Sequence, residues 1–444
     1  MMKKIKSYIF VLGLAMLVAG SCDKFKDALN TSEIELVSIT IKLQTTLELS
    51  SEPLSIVLEN SSEGVKIEKK FNPLQGVVID KLIPGTYNIV ISGITEDKEG
   101  NRYFLSGSKI RRHILKDGDM ETIAVGGARA GDLIFKEVYY CGSTNWTTNG
   151  IWFRDQFYEF YNNSQKIIYL DGIHFANLEP SGADAGQPAI WPAEDGEKYV
   201  YAQHVWKFPG KGRDFPLAPG ESAIVAQYAV NHKLPLFNPD SPVDLSKAEF
   251  EATMNSSMAP AQLPEAYRMV YVYNYANATS TITGFQWLVA VGGGAYVIFS
   301  PKPGDNWDPV GNPNWRTRNL ATTSSAQSAK IPIEYVLDAV EFGSSEAAKS
   351  YKRVRGVLDA GMVYMPIKES AWGPGNTYIG HGAVRKKVGE NADGTPIIQD
   401  TNNSTEDFIR VNDGTEAAPV WNYGLVPQIR RFGAKMPSWS WSLQ

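Results

Sequence analysis

From Ile34 onward the chain alternates apolar and polar residues in short runs broken by turn residues, and a period of two admits strands and little else. Ile39-Thr40-Ile41-Lys42-Leu43 alternates strictly, and Leu54-Ser55-Ile56-Val57-Leu58 and Val65-Lys66-Ile67 do so more loosely. Asn60-Ser61-Ser62-Glu63-Gly64 is a turn between two of these runs. Pro84-Gly85 makes the next turn, after which Tyr87, Ile89 and Ile91 should share one face. Glu96-Asp97-Lys98-Glu99-Gly100-Asn101 is a polar hairpin loop. Strands at this spacing predict a small β-sandwich over residues 34–127. Gly126-Gly127-Ala128-Arg129-Ala130-Gly131 offers no core side chains and predicts a linker to a second domain over 131–444. The fold class expected is all-β, as tandem sandwiches.

Ahead of the strands, Lys3, Lys4 and Lys6 precede an uncharged apolar run from Tyr8 to Ala19, followed by Gly20, Ser21, Cys22 and then polar Asp23 and Lys24. That is the layout of a secretory signal peptide over residues 1–21. Its apolar core is shorter than the ~20 residues that span a bilayer. Small residues before a cysteine resemble a lipobox, with Ala19 where leucine is usual. Cys22 is therefore the expected lipidation site and residues 22–33 a tether. Anchoring by lipid needs more than one acyl chain, which a diacylated or triacylated cysteine supplies. Residues 22–444 carry 40 basic against 48 acidic side chains. An acidic body argues against nucleic acid as a partner. With Cys22 acylated, Cys141 is the one thiol left, no intrachain disulfide can form, and its Tyr-Tyr-Cys-Gly surroundings predict a buried structural cysteine.

The second domain reads as aromatic strands: Asp132 to Tyr140, Gln156 to Asn163 and Ile167 to Ile173, with Phe215 to Ala226 a Pro219-Gly220 turn leading into a buried strand. Later come Glu334 to Gly343 and the run Asp400 to Phe408. Four phrases in this order resemble the lamin-tail domain, an immunoglobulin-like sandwich: Tyr158 to Asn162, Leu217 to Gly220, Asp338 to Phe342, and Asp400 to Phe408. A long insertion at about 230–330 separates the second phrase from the third. The Pro84-Gly85-Thr86-Tyr87 phrase of the first domain resembles prealbumin-like or carboxypeptidase-regulatory-like sandwiches. The whole arrangement resembles the Bacteroidetes lipoprotein family catalogued as domain of unknown function 4876. The resemblance implies an outer-membrane lipoprotein, facing the cell surface or the periplasm, beside a TonB-dependent receptor. It implies no activity.

Within the insertion, Ser246 to Met254 suits a short helix after a serine cap, and Tyr267 to Tyr275 reads as a strand. Gly284 to Phe299 reads as two apolar strands around the Gly292-Gly293-Gly294 turn. His113, His174, His204, His232 and His381 stand apart, with no zinc-like spacing, and no Gly-x-Ser-x-Gly elbow is present. The chain is expected to be no enzyme and to take no cofactor. Asp400, Asn402, Ser404 and Asp407 alternate oxygen donors as a calcium loop would, without its glycine and closing glutamate, so a structural turn is the first reading and calcium the second. Trp146, Trp152, Trp191, Trp206, Trp307, Trp315, Trp372 and Trp421 lie among Gly, Pro and Asn. Loop indoles are candidate contacts, and Trp307 and Trp315 in the insertion are the expected contact pair for a glycan, a metal chelate or a receptor. Trp439 and Trp441 should share one face of a final strand. The function expected is non-enzymatic binding in accessory nutrient or metal uptake. An envelope scaffold is one alternative, and a carbohydrate hydrolase with two facing carboxylates ~5–10 Å apart is the other.

Overall fold

The fold is known from a computed structural model, which describes residues 34–411 apart from 61, 181–187, 253–265, 281–286, 288, 366–372 and 379. The signal peptide, the tether, Cys22, Trp372, Trp421 and the strand expected at Trp439 and Trp441 lie outside the described residues. The described residues form two compact units, one within residues 34–95 and 105–127 and the other within 96–104 and 128–411. Among the described residues no helix is long and apolar enough to cross a membrane.

The first unit holds β1 (Val37–Gln44), β2 (Leu54–Asn60), β3 (Val65–Phe71), β4 (Val77–Leu82), β5 (Gly85–Glu96), β6 (Arg102–Ile114) and β7 (Asp119–Ala124). They make a sheet in the order β4-β1-β7 and a second in the order β3-β2-β5-β6, which β8 (Gly126–Arg129) extends. Every other residue is buried over 37–41 of β1, 54–60 of β2 and 87–91 of β5, including Ile39, Ile41, Ile56, Leu58, Tyr87, Ile89 and Ile91. The period of two thus marks the core face, as alternation requires. Tyr87 keeps its hydroxyl satisfied in the core by donating to the Ile83 carbonyl at 2.8 Å. The segment 126–131 differs from the linker expected. Gly126–Arg129 is a paired strand, and the Gly131 amide donates to Asp400 Oδ2 at 2.6 Å. A side chain at 131 would meet that oxygen at 2.8 Å, so this glycine serves close approach rather than flexibility.

The second unit opens with β9 (Leu133–Tyr139), β10 (Ser143–Asn145), β11 (Gly150–Trp152), β12 (Phe157–Asn162), β13 (Ile168–Tyr169) and β14 (His174–Leu178). It continues with β15 (Tyr199–Lys207), β16 (Pro216–Leu217), β17 (Ser222–Ala226), β18 (Phe250–Glu251), β19 (Tyr267–Arg268), β20 (Val270–Asn274) and β21 (Ala295–Phe299). Last come β22 (Arg316–Thr317), β23 (Ser328–Pro332), β24 (Val336–Gly343), β25 (Val363–Tyr364), β26 (Gly382–Arg385), β27 (Lys387–Glu390), β28 (Pro396–Ile398) and β29 (Phe408–Val411). One sheet runs β19-β18-β17-β12-β9-β26-β29. The other runs β22-β23-β15-β14-β21-β24-β25, with β20 also on β15. Phe135, Tyr158, Phe160, Phe175, Trp206, Trp287, Tyr296 and Phe342 fill one core. A second cluster includes Ala176, Val297, Phe299, Trp307, Ile331 and Ala339. Residues of β14 and β21 alternate between the two clusters, so both faces of that sheet are covered. That is why its strands are buried without a break and show no alternation.

Two expectations within 230–330 give way. Ser246 and Lys247 form a turn, and Phe250–Glu251 is a strand that pairs parallel with β17 and with β19. Asp244 accepts the Ser246 amide at 2.9 Å, an Asx turn that uses up the capping signal, and the expected helix is absent over its described residues. The glycine hairpin is absent too over its described residues, since Trp287, Val289, Ala290 and Val291 are in no strand; Gly284 to Gln286 and Leu288 lie outside the described residues. β21 pairs instead with β14 on one side and β24 on the other. Consequently the segment is no appendage, because it supplies a central strand of the second sheet.

Candidate functional site

One end of the second unit is built from the β10–β11 hairpin, the loop 231–244 and the turn around 373–378. Asn145 Oδ1 accepts the Thr148 amide at 2.9 Å and Asn149 takes φ +51°, which close the hairpin. Trp146 sits at its tip, 67% exposed, and is the one exposed tryptophan among the described residues. It is nevertheless held. Its amide donates to Asp240 Oδ2 at 2.9 Å. Its six-membered ring edge lies so close to Gly375 that a side chain there would sit 3.0 Å away, and Gly375 also has φ +72°. Thr144 donates to the Tyr378 carbonyl at 2.7 Å and accepts the Gly375 amide at 2.7 Å, joining hairpin to turn.

The other face of the hairpin is tied down by Trp152 and His232. Trp152 Nε1 donates to His232 Nδ1 at 3.1 Å, and His232 Nε2 faces the Tyr228 carbonyl at 2.8 Å. An indole can only donate and a carbonyl can only accept, so the ring must be neutral with its proton on Nε2. Burial agrees, lowering the His232 pKa to about 4. Beneath lies Asp155, fully buried, with Oδ2 accepting from Ser143 at 2.5 Å, Ser241 at 2.7 Å and Tyr139 at 3.2 Å. Burial raises its carboxyl to about 6 despite these donors.

The expected contact pair is placed differently. Trp307 is 9% exposed; its Nε1 donates to the Lys330 carbonyl at 2.8 Å, and its ring packs edge-on against Phe299 and His174. Trp315 is half-buried, packs on the same cluster and donates to the Asn306 carbonyl at 3.1 Å. The expectation of exposed indoles fails at Trp307 because the 300–327 segment covers a sheet face. Trp206 is no loop residue either, being fully buried in β15. Trp191 is stacked on Tyr201 with ring centres 3.7 Å apart. Cys141 is buried, and burial pushes its thiol up to about 12.

The calcium alternative meets a guanidinium. Arg385, fully buried, donates to Asp338 at 2.7 Å and to both Asp400 and Asp407 at 3.0 Å. It also reaches the Phe135 carbonyl at 2.8 Å and lies over the Phe408 ring. Asp407 takes further donors from Thr401 and Gln399. Ser404 donates to Asp359 at 2.6 Å, and Asn402 takes φ +55° in the turn before the one-turn helix Ser404–Asp407. The Asp400 and Asp407 carboxylates that a cation would need are thus already engaged by Arg385 and other donors, which favours the structural turn over calcium. No group of metal-binding side chains occurs among the described residues. Burial pushes the Asp338 carboxyl up, and Arg385 beside it pulls it back down. The acidic residues of the third and fourth phrases therefore meet at one arginine that lies in neither phrase. Only its charge hinted at this, since a buried cluster of three carboxylates needs a counter-ion.

A groove of about 440 Å³ opens elsewhere on this unit, lined by Ile168, Leu337, Val357, Leu358, Asp132 and Asn402 among others. Its lining is more apolar than polar, and Asp338 within it is already engaged by Arg385.

Fold and site define an all-β protein of the sandwich class, with a rigidly seated aromatic hairpin at one end. The chain belongs to the DUF4876 family of proteins of unknown function. That family's profile matches residues 218–414. A crystal structure of a DUF4876 family protein from Bacteroides thetaiotaomicron VPI-5482 is 42% identical, with a TM-score of 0.61, over 91% of this chain and 99% of that one. A proposed adhesin from Bacteroides ovatus ATCC 8483 matches at 9% identity and a TM-score of 0.21, over 68% of this chain and 84% of that one. That likeness carries no argument. No curated protein matches the chain.

Proposed function

We propose that this chain is a non-enzymatic outer-membrane lipoprotein, anchored through Cys22, that binds a partner through the Trp146 end of its second unit. The observation that carries the binding half is Trp146, 67% exposed, with its backbone amide held by Asp240 and its ring edge seated on Gly375. Leaving a large apolar ring in water is unfavourable, and ordering it before contact lowers the entropy cost of binding. Rigid aromatic anchors of this kind dominate interface energies. The anchoring half rests on Lys3 to Cys22 in the sequence.

A TonB-dependent receptor is the partner class that the lipoprotein reading favours. Immobilised protein should enrich such a receptor from detergent-solubilised outer membranes, identified by mass spectrometry, and Trp146→Ala should abolish the enrichment. Equal capture by the variant would place the contact elsewhere. An envelope scaffold is the second reading, supported by the burial of Trp206, Trp287 and Trp307 in the cores. It predicts that no partner is enriched by either protein.

A further inference from the structure

Resting on that partner-binding reading, we infer that Trp146 is a stacking platform for a neutral carbohydrate. The side chains around the ring carry the inference. Asn145, Thr147, Thr148 and Asn149 share its hairpin, and Asn376 lies on the turn that packs against it. These are short, uncharged groups that both donate and accept hydrogen bonds. Asp240 is the nearby carboxylate, and it already accepts the Trp146 amide.

A pyranose ring presents the matching chemistry. Its axial C–H face is apolar and lies flat on an indole, whereas its equatorial hydroxyls need neutral donors and acceptors around the rim. The hairpin tip from Asn145 to Gly150 carries no lysine or arginine to meet a phosphate headgroup, which argues against an anionic lipid surface. It equally carries no free cation for an acidic sugar. Across the hairpin, the exposed Ile151 is paired with Thr144, on the face turned toward the 373–378 turn, and would extend the apolar floor by one further residue. The floor is prepared in advance, because Gly375 leaves room for the indole edge and the Thr144 bonds hold hairpin and turn together.

The test is titration calorimetry of the full chain in detergent against hexaoses of glucose, xylose, mannose and galactose. Wild type should bind at least one of them. Trp146→Ala should weaken that binding by about tenfold or more, and Trp146→Phe, which keeps a ring, by only about threefold. Both variants should melt as wild type does, since the indole is mostly in solvent. Absence of binding by wild type to all four sugars overturns the inference, as does unchanged affinity in Trp146→Ala. Trp146-dependent sedimentation with phosphatidylglycerol vesicles, without sugar binding, would assign the indole to lipid instead. Receptor capture that persists without sugar binding removes this inference and leaves the partner-binding reading standing.

Discussion

At the scale of single residues, burial sorts the aromatic side chains into roles that composition could not. Trp307 and Trp146 both sit in Asn-rich loops, and only the surrounding sheet distinguishes them. Truncating Trp307 removes a packed ring and a hydrogen bond, so Trp307→Ala should cost about 3–5 kcal/mol. For a unit of this size that lowers the melting temperature by roughly 10 °C. An unchanged melt would mean the ring is not in the core. His232 makes a pH prediction. Its folded pKa is about 4 against an ordinary 6.5. Because the folded value is the lower one, its contribution is complete above 6.5 and is lost as pH falls through 4. The shift corresponds to on the order of 3 kcal/mol. Protonating Nδ1 also removes the acceptor for Trp152, so the hairpin should loosen together with it. Carbon-13 spectra of the His232 ring should show the neutral form at pH 5; a charged ring at that pH contradicts the assignment.

Elements show where reading the sequence succeeds and where it fails. In β1, β2 and β5 one face is buried and the other is wet, so alternation wrote the core face directly into residues 39–91. In β14 and β21 both faces are buried, and alternation disappears. The segment 230–330 was legible as strand at Tyr267 to Tyr275. Its place in the sheet was not, because pairing between β21 and the distant β14 and β24 leaves no local trace. The Ser246 capping signal misled for a related reason: parallel pairing of Phe250 with β17 and β19 outweighs local propensity. Trp146 was visible as a loop indole, but its seat on Gly375 joins residues more than 200 apart in the chain. Replacing 230–330 by a short linker should therefore abolish cooperative unfolding of residues 131–444, judged by differential scanning calorimetry. A variant that still melts in one sharp transition would show the segment to be dispensable.

On the scale of the whole molecule, the described residues form an all-β body of two units, which the proposed function makes a tethered binding module. Residues 34–127 contain β1 to β7 and a core of their own, so that fragment should fold alone with a cooperative melt and β-type circular dichroism. A disordered fragment would mean that the two parts share a core. The tether is the claim on which localisation and function both depend. Its most direct measurement is fractionation of cells expressing wild type and Cys22→Ala, with globomycin-treated wild type beside them. The account predicts that wild type sediments with the outer membrane, that Cys22→Ala is released from it, and that globomycin causes unprocessed wild type to accumulate. If Cys22→Ala stays with the outer membrane and the drug leaves wild-type processing unchanged, the chain is not a lipoprotein.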